Sequence, residues 1–437
     1  MTDNRNQTQD ARNRAVLVGL AAGALPREDN ANDASLEELA DLVKTAGGEC
    51  VGTILQRRDA PEARTFIGEG KVAETRELVQ AMEADLVVFD NELSPSQQRV
   101  LTEDIGVQVI DRAGLILDIF AQRARTREGR LQVELAQYQY LLPRLTGMWG
   151  HLVRQTASGG KSPIGTRGPG ETQLETDRRH IRRKIAKLSE DLEEVRRIRA
   201  VQRDRREKNE IPVVAIVGYT NAGKSTLLNA LTGADIPARN RLFDTLDTTT
   251  RTLEISDTCT VLISDTVGFI RKLPHHLVEA FKATLEELTF ADLILHVIDA
   301  SNPEWREQVE VVEKLIRQLG AEATPRIDVF NKSDIYLGDI RPHGEDIVSI
   351  SARTGEGLDQ LLTMIGKRLD TGFHRLTLAL PYDKAGLLEM LYQQAKVESV
   401  EYGETIRVET VCNEKTVGQV RDYILEGWRP RKEDWED

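Results

Sequence analysis

The run Gly218-Tyr219-Thr220-Asn221-Ala222-Gly223-Lys224-Ser225 sets two glycines, a lysine and a hydroxyl in one short turn. It fits the pattern G-x-x-x-x-G-K-[ST]. In that pattern backbone N–H groups cradle phosphates, the lysine reaches the outer two, and the hydroxyl meets Mg²⁺. The apolar β-branched stretch Val213 to Val217 precedes it and reads as a buried strand. Thr226 to Leu231 reads as the first turns of a helix, whose N-terminus adds partial positive charge to the turn. The chemistry is binding of a nucleoside triphosphate.

Further elements narrow the nucleotide. Asp265-Thr266-Val267-Gly268 closes the apolar strand Val261 to Ile263. It fits D-x-x-G, whose Asp holds Mg²⁺ through water and whose Gly N–H meets the γ-phosphate. Asn331-Lys332-Ser333-Asp334 follows the strand Ile327 to Phe330 and fits N-K-x-D. Ser351-Ala352-Arg353 follows Ile347 to Ile350 and fits a base-contacting turn. The Asp334 carboxylate can accept two hydrogen bonds, from guanine N1–H and the N2 amine. Adenine has neither donor there, and a site built on such bonds rejects it by ~10⁴ or more. The Lys332 stem covers one face of the base, and the Ala352 N–H meets guanine O6. All motifs stand at the carboxyl ends of predicted strands, where open α/β sheets bind ligands. The substrate read from them is GTP.

The expected roles follow. Lys224 bridges the β- and γ-phosphates, and Ser225 and Asp265 serve Mg²⁺. The run Phe243 to Arg251 occupies the place of a switch segment that supplies a threonine to the metal. Thr249 is the choice, although Thr248, Thr249 and Thr250 leave the register open. After Gly268 stands Phe269, where Ras-like GTPases carry a glutamine that orients the attacking water. Phenylalanine cannot do this, so intrinsic hydrolysis is expected to be slow and to need help from elsewhere. Phe269 can equally be a packing residue. Asn221 can hold K⁺ beside the phosphates, as the similarity of Asn221-Ala222-Gly223-Lys224-Ser225 to potassium-activated GTPases implies, or simply form the turn. The expected catalytic set is Lys224, Asn221, Thr249 and Gly268. Gly218, Tyr219, Ala222, Gly223, Ser225, Thr226, Asp265, Asn331, Lys332, Asp334, Ser351, Ala352 and Arg353 complete the nucleotide contacts.

These residues need a scaffold. At 437 residues the chain has room for a few domains of ~150 residues each. Alternating strand and helix patterns predict a compact mostly parallel α/β domain over 15–113, after a polar, disordered 1–14 that lacks a secretory leader. Ser35 is the expected cap of its first helix, in a capping box with Glu38. The short turn Gly68-Glu69-Gly70-Lys71 enters a helix and suggests either a plain turn or a second nucleotide site. Over 114–210 two helical stripes predict an antiparallel hairpin. One runs Leu117, Phe120, Ala124, Leu131, Leu135, Tyr138, Leu142, and the other Leu174, Ile181, Ile185, Leu188, Leu192, Val195. A Gly-rich loop over 147–170 joins them, carrying Trp149, His151, Arg154, Lys161 and Arg167, and reads as a binding tip or a flexible connector. The G domain spans 211–370. A small α+β domain over 371–437 has a strand at 376–380, a helix at 384–397 and a hairpin around Gly403.

Net charge is −13 overall, which argues against nucleic acid. Its distribution argues the other way. Arg178 to Lys208 holds 13 Lys and Arg against 6 Asp and Glu, an excess of +7. Such a block is a phosphate footprint or a solvated helix face. Three separated cysteines, Cys50, Cys259 and Cys412, form no metal or disulfide pattern and suit a reducing cytosol.

With these motifs the run Gly168-Pro169-Gly170-Glu171-Thr172-Gln173-Leu174-Glu175-Thr176-Asp177-Arg178-Arg179 makes the chain similar to the HflX family of ribosome-associated GTPases. Ile67-Gly68-Glu69-Gly70-Lys71, Thr245-Leu246-Asp247 and Asp265 to Ile270 also match, while Thr248 stands where many members have proline. The resemblance covers nearly the whole chain. It implies a Ras-like P-loop G domain with an N-terminal α/β domain, a helical hairpin and a small C-terminal domain. The expected activity is Mg²⁺-dependent GTP hydrolysis by a cytoplasmic monomer, and no apolar stretch approaches the ~20 residues that span a bilayer. The implied partner is the large ribosomal subunit and its RNA, bound in the GTP state, in splitting or rescue of ribosomes under stress. Arg178, Arg179, Arg182, Arg183 and Lys184 are the phosphate-contact candidates. A regulatory GTPase acting on a protein without RNA is the alternative.

Overall fold

The computed structural model describes residues 13–145, 169–207, 211–234, 242–243, 249–256, 259–273, 288–336, 338, 342–369 and 373–426. The first part alternates β1 (Arg14–Ala22), α1 (Asp33–Thr45), β2 (Glu49–Arg58), α2 (Glu69–Ala81), β3 (Leu86–Phe89), α3 (Pro95–Ile105), β4 (Gln108–Asp111) and α4 (Arg112–Arg123). The strands pair in the order β2-β1-β3-β4, all parallel, because each is separated from the next by a helical crossover. The α1 cap differs from expectation. Asn32 is the N-cap, its side chain accepting from Ser35 N at 2.6 Å while Ser35 Oγ accepts from Asn32 N at 2.9 Å. Ser35 therefore stands at the third helical position, and Glu38 is released for another task.

The first helical stripe divides. Thr126 accepts from Gly129 N at 3.0 Å and starts a new helix, α5 (Arg127–Leu141). Ahead of it Ile116, Leu117, Ile119 and Phe120 are all buried, so α4 belongs to the N-terminal domain rather than to the hairpin. The hairpin is α5 with α6 (Pro169–Glu207), whose 39 residues extend about 58 Å at ~1.5 Å per residue. Pro169 and Gly170, expected in the loop, begin this helix, a favourable place for proline. The rest of the expected tip, Trp149 included, lies outside the described residues. The seam is short: Leu135, Leu188 and Leu192 are buried, with Leu131, Tyr138 and Ile185 around them.

One carboxylate roots the hairpin. Asp111 is wholly buried and caps α4 through Gly114 N at 2.9 Å. It also accepts from Tyr140 Oη at 2.8 Å and from Arg144 Nη2 at 3.2 Å, beyond the end of α5. The Arg144 guanidinium lies 3.6 Å over the Tyr140 ring, adding a cation–π contact.

The G domain comprises β5 (Val213–Gly218), α7 (Lys224–Thr232), β6 (Thr249–Ser256), β7 (Cys259–Asp265), β8 (Leu293–Asp299), α8 (Trp305–Gln318), β9 (Arg326–Asn331), β10 (Ile347–Ser349) and α9 (Leu358–Arg368). Its order is β10-β9-β8-β5-β7-β6, with only the edge strand β6 antiparallel. The last part is an antiparallel sheet, β12-β13-β11-β14, of β11 (Phe373–Leu380), β12 (Lys396–Tyr402), β13 (Ile406–Asn413) and β14 (Ile424–Glu426). It is packed with α10 (Ala385–Gln394) and α11 (Glu414–Val420). The sequence pattern misses α11 and β14, which are short, the helix holding Gly418 in its interior. The N-terminal and G domains share one buried apolar cluster. Leu17, Leu39 and Phe120 from the first join Val217, Phe243, Phe269 and Ile270 from the second.

Replacing Asp111 by alanine strips the buried carboxylate from Arg144. We expect a loss of about 3–5 kcal/mol in urea unfolding, as for removal of one partner of a buried pair. A loss below about 1 kcal/mol would show that the hairpin root does not depend on it.

Candidate nucleotide site

The P-loop turn is set by backbone constraints. Gly223 has φ +94°, and a Cβ there would stand 2.2 Å from Asn331 Nδ2, so no side chain fits. α7 starts at the next residue and points its free N–H groups into the turn. Lys224 is buried, and its Nζ donates to Gly218 O at 3.1 Å and Tyr219 O at 2.8 Å. An ammonium has three hydrogens, so one remains for a phosphate oxygen. Burial lowers its pKa to about 8, with Asp265 opposing the shift. Asn221 is exposed in the left-handed region, φ +62°, the conformation a turn-forming asparagine tolerates. Thr226 is half-buried in the first turn of α7.

The metal-side residues converge. Ser225 Oγ donates to Asp265 Oδ2 at 2.7 Å, and Asp265 is wholly buried at the end of β7. Thr249 opens β6 directly opposite Asp265 in register, while Thr248 lies outside the described residues. Hydroxyl and carboxylate oxygens are hard donors of the kind Mg²⁺ takes together with substrate phosphates.

On the base side, Asn331 is a tie. Its Nδ2 donates to Ala222 O at 2.9 Å and its Oδ1 accepts from Ala352 N at 2.9 Å. One carboxamide thus joins the P-loop to the base turn. The Ala352 N–H expected to meet guanine O6 is already committed, so a guanine must share or displace that bond. Lys332 is held by Asp299 Oδ2 at 2.6 Å, which fixes its stem. Asp334 is exposed, its Oδ1 accepting from Ser351 Oγ at 2.8 Å, with Arg353 exposed beside the turn.

Phe269 is only 1% exposed and packs in the shared interdomain cluster. Its backbone is zipped to the P-loop: Phe269 N donates to Gly218 O at 3.1 Å, and Thr220 N donates to Phe269 O at 2.7 Å. A Cβ on Gly268 would lie 2.9 Å from Lys224 Nζ, so this segment already rests against the P-loop lysine.

Sequence reasoning missed the residues that hold the site from outside. Tyr219 is a P-loop residue, but its side chain leaves the nucleotide. Its Oη donates to Glu38 Oε1 at 2.5 Å and accepts from Arg271 N at 2.9 Å. Arg112 is wholly buried between Glu38 and Asp90, 2.8 Å from Asp90 Oδ1. Lys272 pairs with the other Asp90 oxygen, which also accepts from Ser35 Oγ at 2.8 Å. Burial alone would raise the Asp90 carboxyl, yet Arg112 and Lys272 together hold it below the ordinary carboxylate value. No local pattern marks these pairs, because each joins residues far apart in the chain. Gly68 precedes α2 and donates its N–H to Gln56 Oε1 at 2.9 Å, and Lys71 pairs with Glu74.

Known proteins match this arrangement along its length. Residues 33–121 match "GTP-binding GTPase N-terminal" and 123–206 "GTP-binding GTPase Middle Region". Residues 213–332 match "50S ribosome-binding GTPase" and 341–435 "HflX C-terminal domain". The chain belongs to the HflX family. The GTPase HflX of Caldanaerobacter subterraneus is 47% identical over 416 residues, covering 94% of each chain. That of Escherichia coli K12 is 45% identical over 396 residues, 89% of this chain and 90% of the other. A GTP-binding protein from Sulfolobus solfataricus, solved with GDP, covers 81% of this chain and 98% of that one at 24% identity and TM-score 0.42. This HflX-family chain is a GTPase, with a multidomain α/β architecture. Among the described residues no helix is long and apolar enough to cross a membrane.

Two outcomes are expected. A bound polyphosphate raises the Lys224 pKa from about 8, so binding above pH 8 takes up a proton. GTP affinity should then fall with rising pH, up to about tenfold per unit. Calorimetry at pH 9 in two buffers of different ionisation enthalpy reads the uptake directly, and zero uptake contradicts it. Secondly, Asp334→Asn should weaken GTP and favour xanthosine triphosphate, whose altered edge suits an amide. Competition binding with both nucleotides measures the ratio, and an unchanged ratio removes Asp334 from base recognition.

Proposed function

We propose that this GTPase is a Mg²⁺-dependent switch that binds the large ribosomal subunit in its GTP state and acts in splitting or rescue of ribosomes under stress. The observation that carries this reading is the exposed cationic surface of α6. Arg179, Arg182, Arg183, Lys184 and Lys187 are all exposed, whereas Arg178, another expected contact, is partly buried. Lys184 also bonds Tyr138 Oη at 2.7 Å, so one of the cations is braced by the opposite helix. Among the described side chains the apolar seam is short, and cations at this density on the exposed face fit RNA phosphates. The match to "50S ribosome-binding GTPase" supports the same partner.

In this reading Ser225, Asp265 and Thr249 would hold the metal, which would neutralise phosphate charge. Lys224 and the Gly268 N–H stabilise the transferring group. Asn221 would hold K⁺, which would add positive charge at the site. Buried Phe269 cannot itself orient the attacking water, and in this reading the ribosome supplies that step. The protein works in the cytoplasm.

The test is hydrolysis and co-sedimentation with large subunits at 50 and 200 mM salt. We expect stimulated turnover, pelleting with a slowly hydrolysed GTP analogue but not with GDP, and affinity that falls steeply with salt. Arg179, Arg182 and Arg183 changed together to Gln should flatten the salt slope. Absence of both stimulation and pelleting rejects the ribosome in favour of a protein partner. Equal turnover in K⁺ and Na⁺ buffers rejects the potassium role alone.

A further inference from the structure

We infer that the N-terminal domain positions the nucleotide site from outside, with Asp90 and Glu38 acting as positioning residues for the segment Phe269 to Lys272 and for the P-loop, through Lys272 and Tyr219. The inference needs only GTP binding and hydrolysis, not the ribosome.

The topology makes Asp90 the natural anchor. Strand order reverses between β1 and β3, and Asp90 directly follows β3, with its N–H on Val18 O at 2.9 Å. The crevice at such a reversal is where open parallel sheets take their ligands. Here the G domain's own Lys272 fills it. Glu38 and Asp90 carry two negative charges against the single positive charge of Arg112, and Lys272 adds a cation directly on Asp90. The Lys272 side chain is 8% exposed and the Asp90 side chain 0%. Withdrawing Lys272 would leave an uncompensated charge in a largely buried cluster, which is costly. The backbone agrees: Lys272 has φ +55°, the left-handed region, uncommon for a long side chain. Such a conformation persists only where the surroundings over-determine it, and it is typical of switch regions.

The same segment reaches the phosphates. From Lys272 the chain passes Arg271, whose N–H rests on Tyr219 Oη, then buried Ile270 and Phe269. It ends at Gly268 against Lys224 Nζ. The other switch touches this domain too, since Phe243 packs edge-on to Phe120 with centroids 4.7 Å apart. A γ-phosphate holds Gly268 inward through its N–H, whereas GDP offers no such contact. The Asp90–Lys272 anchor therefore holds Gly268 in place before the third phosphate arrives, and GTP does not have to drive closure. A contact of this kind shifts affinity only for the ligand that needs the closed state.

The experiment titrates the full-length protein with GDP and with a slowly hydrolysed GTP analogue, in Mg²⁺ and without ribosomes. Lys272→Met should lower analogue affinity about tenfold, within the usual range of coupling between sites, while GDP affinity stays within twofold. Lys272→Arg, which keeps the charge, should restore the ratio. Asp90→Asn should give a similar loss, and the double variant no more than either single, because the two act through one contact. Intrinsic turnover should fall in parallel. Equal weakening of both nucleotides, or no change in the ratio, overturns the inference. If Lys272→Met does not fold, Asp90→Asn and Lys272→Arg decide it by the same ratio. Because no ribosome is present, failure here leaves the ribosome reading standing.

Discussion

A buried polar cluster between two domains governs how the nucleotide site is presented. Arg112 lies wholly inside the N-terminal domain between Glu38 and Asp90, and the G domain completes the set with Lys272 and Tyr219. Buried charges are tolerable only when paired and hydrogen-bonded, so neither domain can be moved without the other. The apolar cluster around it reinforces this, since Phe120 packs on Phe243 while Phe269 and Ile270 lie in the same core. The P-loop and the segment after D-x-x-G are thus each fixed on two sides, one facing phosphate and one facing another domain.

Within the G domain, a second economy of polar groups holds the two ends of the site together. The Asn331 carboxamide satisfies Ala222 O on the P-loop and Ala352 N on the base turn. Lys224 satisfies two P-loop carbonyls while keeping a hydrogen for phosphate. These are preformed contacts, so nucleotide binding meets an ordered cradle and loses less to ordering it.

The hairpin follows the opposite logic. It is held firmly at its root by Asp111, Tyr140 and Arg144, and by a short leucine seam further along. Among the described side chains of α6, Arg179, Arg182, Arg183, Lys184 and Lys187 are exposed. The root joins α5 to the N-terminal domain, and the leucine seam joins α6 to α5.

The chemistry was legible in the sequence because it is local. Phosphate cradles, the D-x-x-G turn and the N-K-x-D turn each draw their residues from a few consecutive positions, and backbone geometry fixes what those residues can do. The strand and helix alternation of residues 15–113 was equally legible, since periodicity and capping are short-range. What the sequence could not decide were contacts between distant residues. Glu38 satisfied a capping rule on paper, yet Asn32 took the cap and Glu38 went to Arg112 and Tyr219. Leu117 and Phe120 continued a helical stripe, yet the N-terminal sheet needed them for its own core, and Thr126 ended the run. Tyr219 and Phe269 stood inside or beside recognised motifs, but nothing local said that their side chains face another domain. A motif states which atoms can meet a ligand. Only the packed chain decides what holds those atoms still, because burial and charge pairing are settled by the whole set of neighbours.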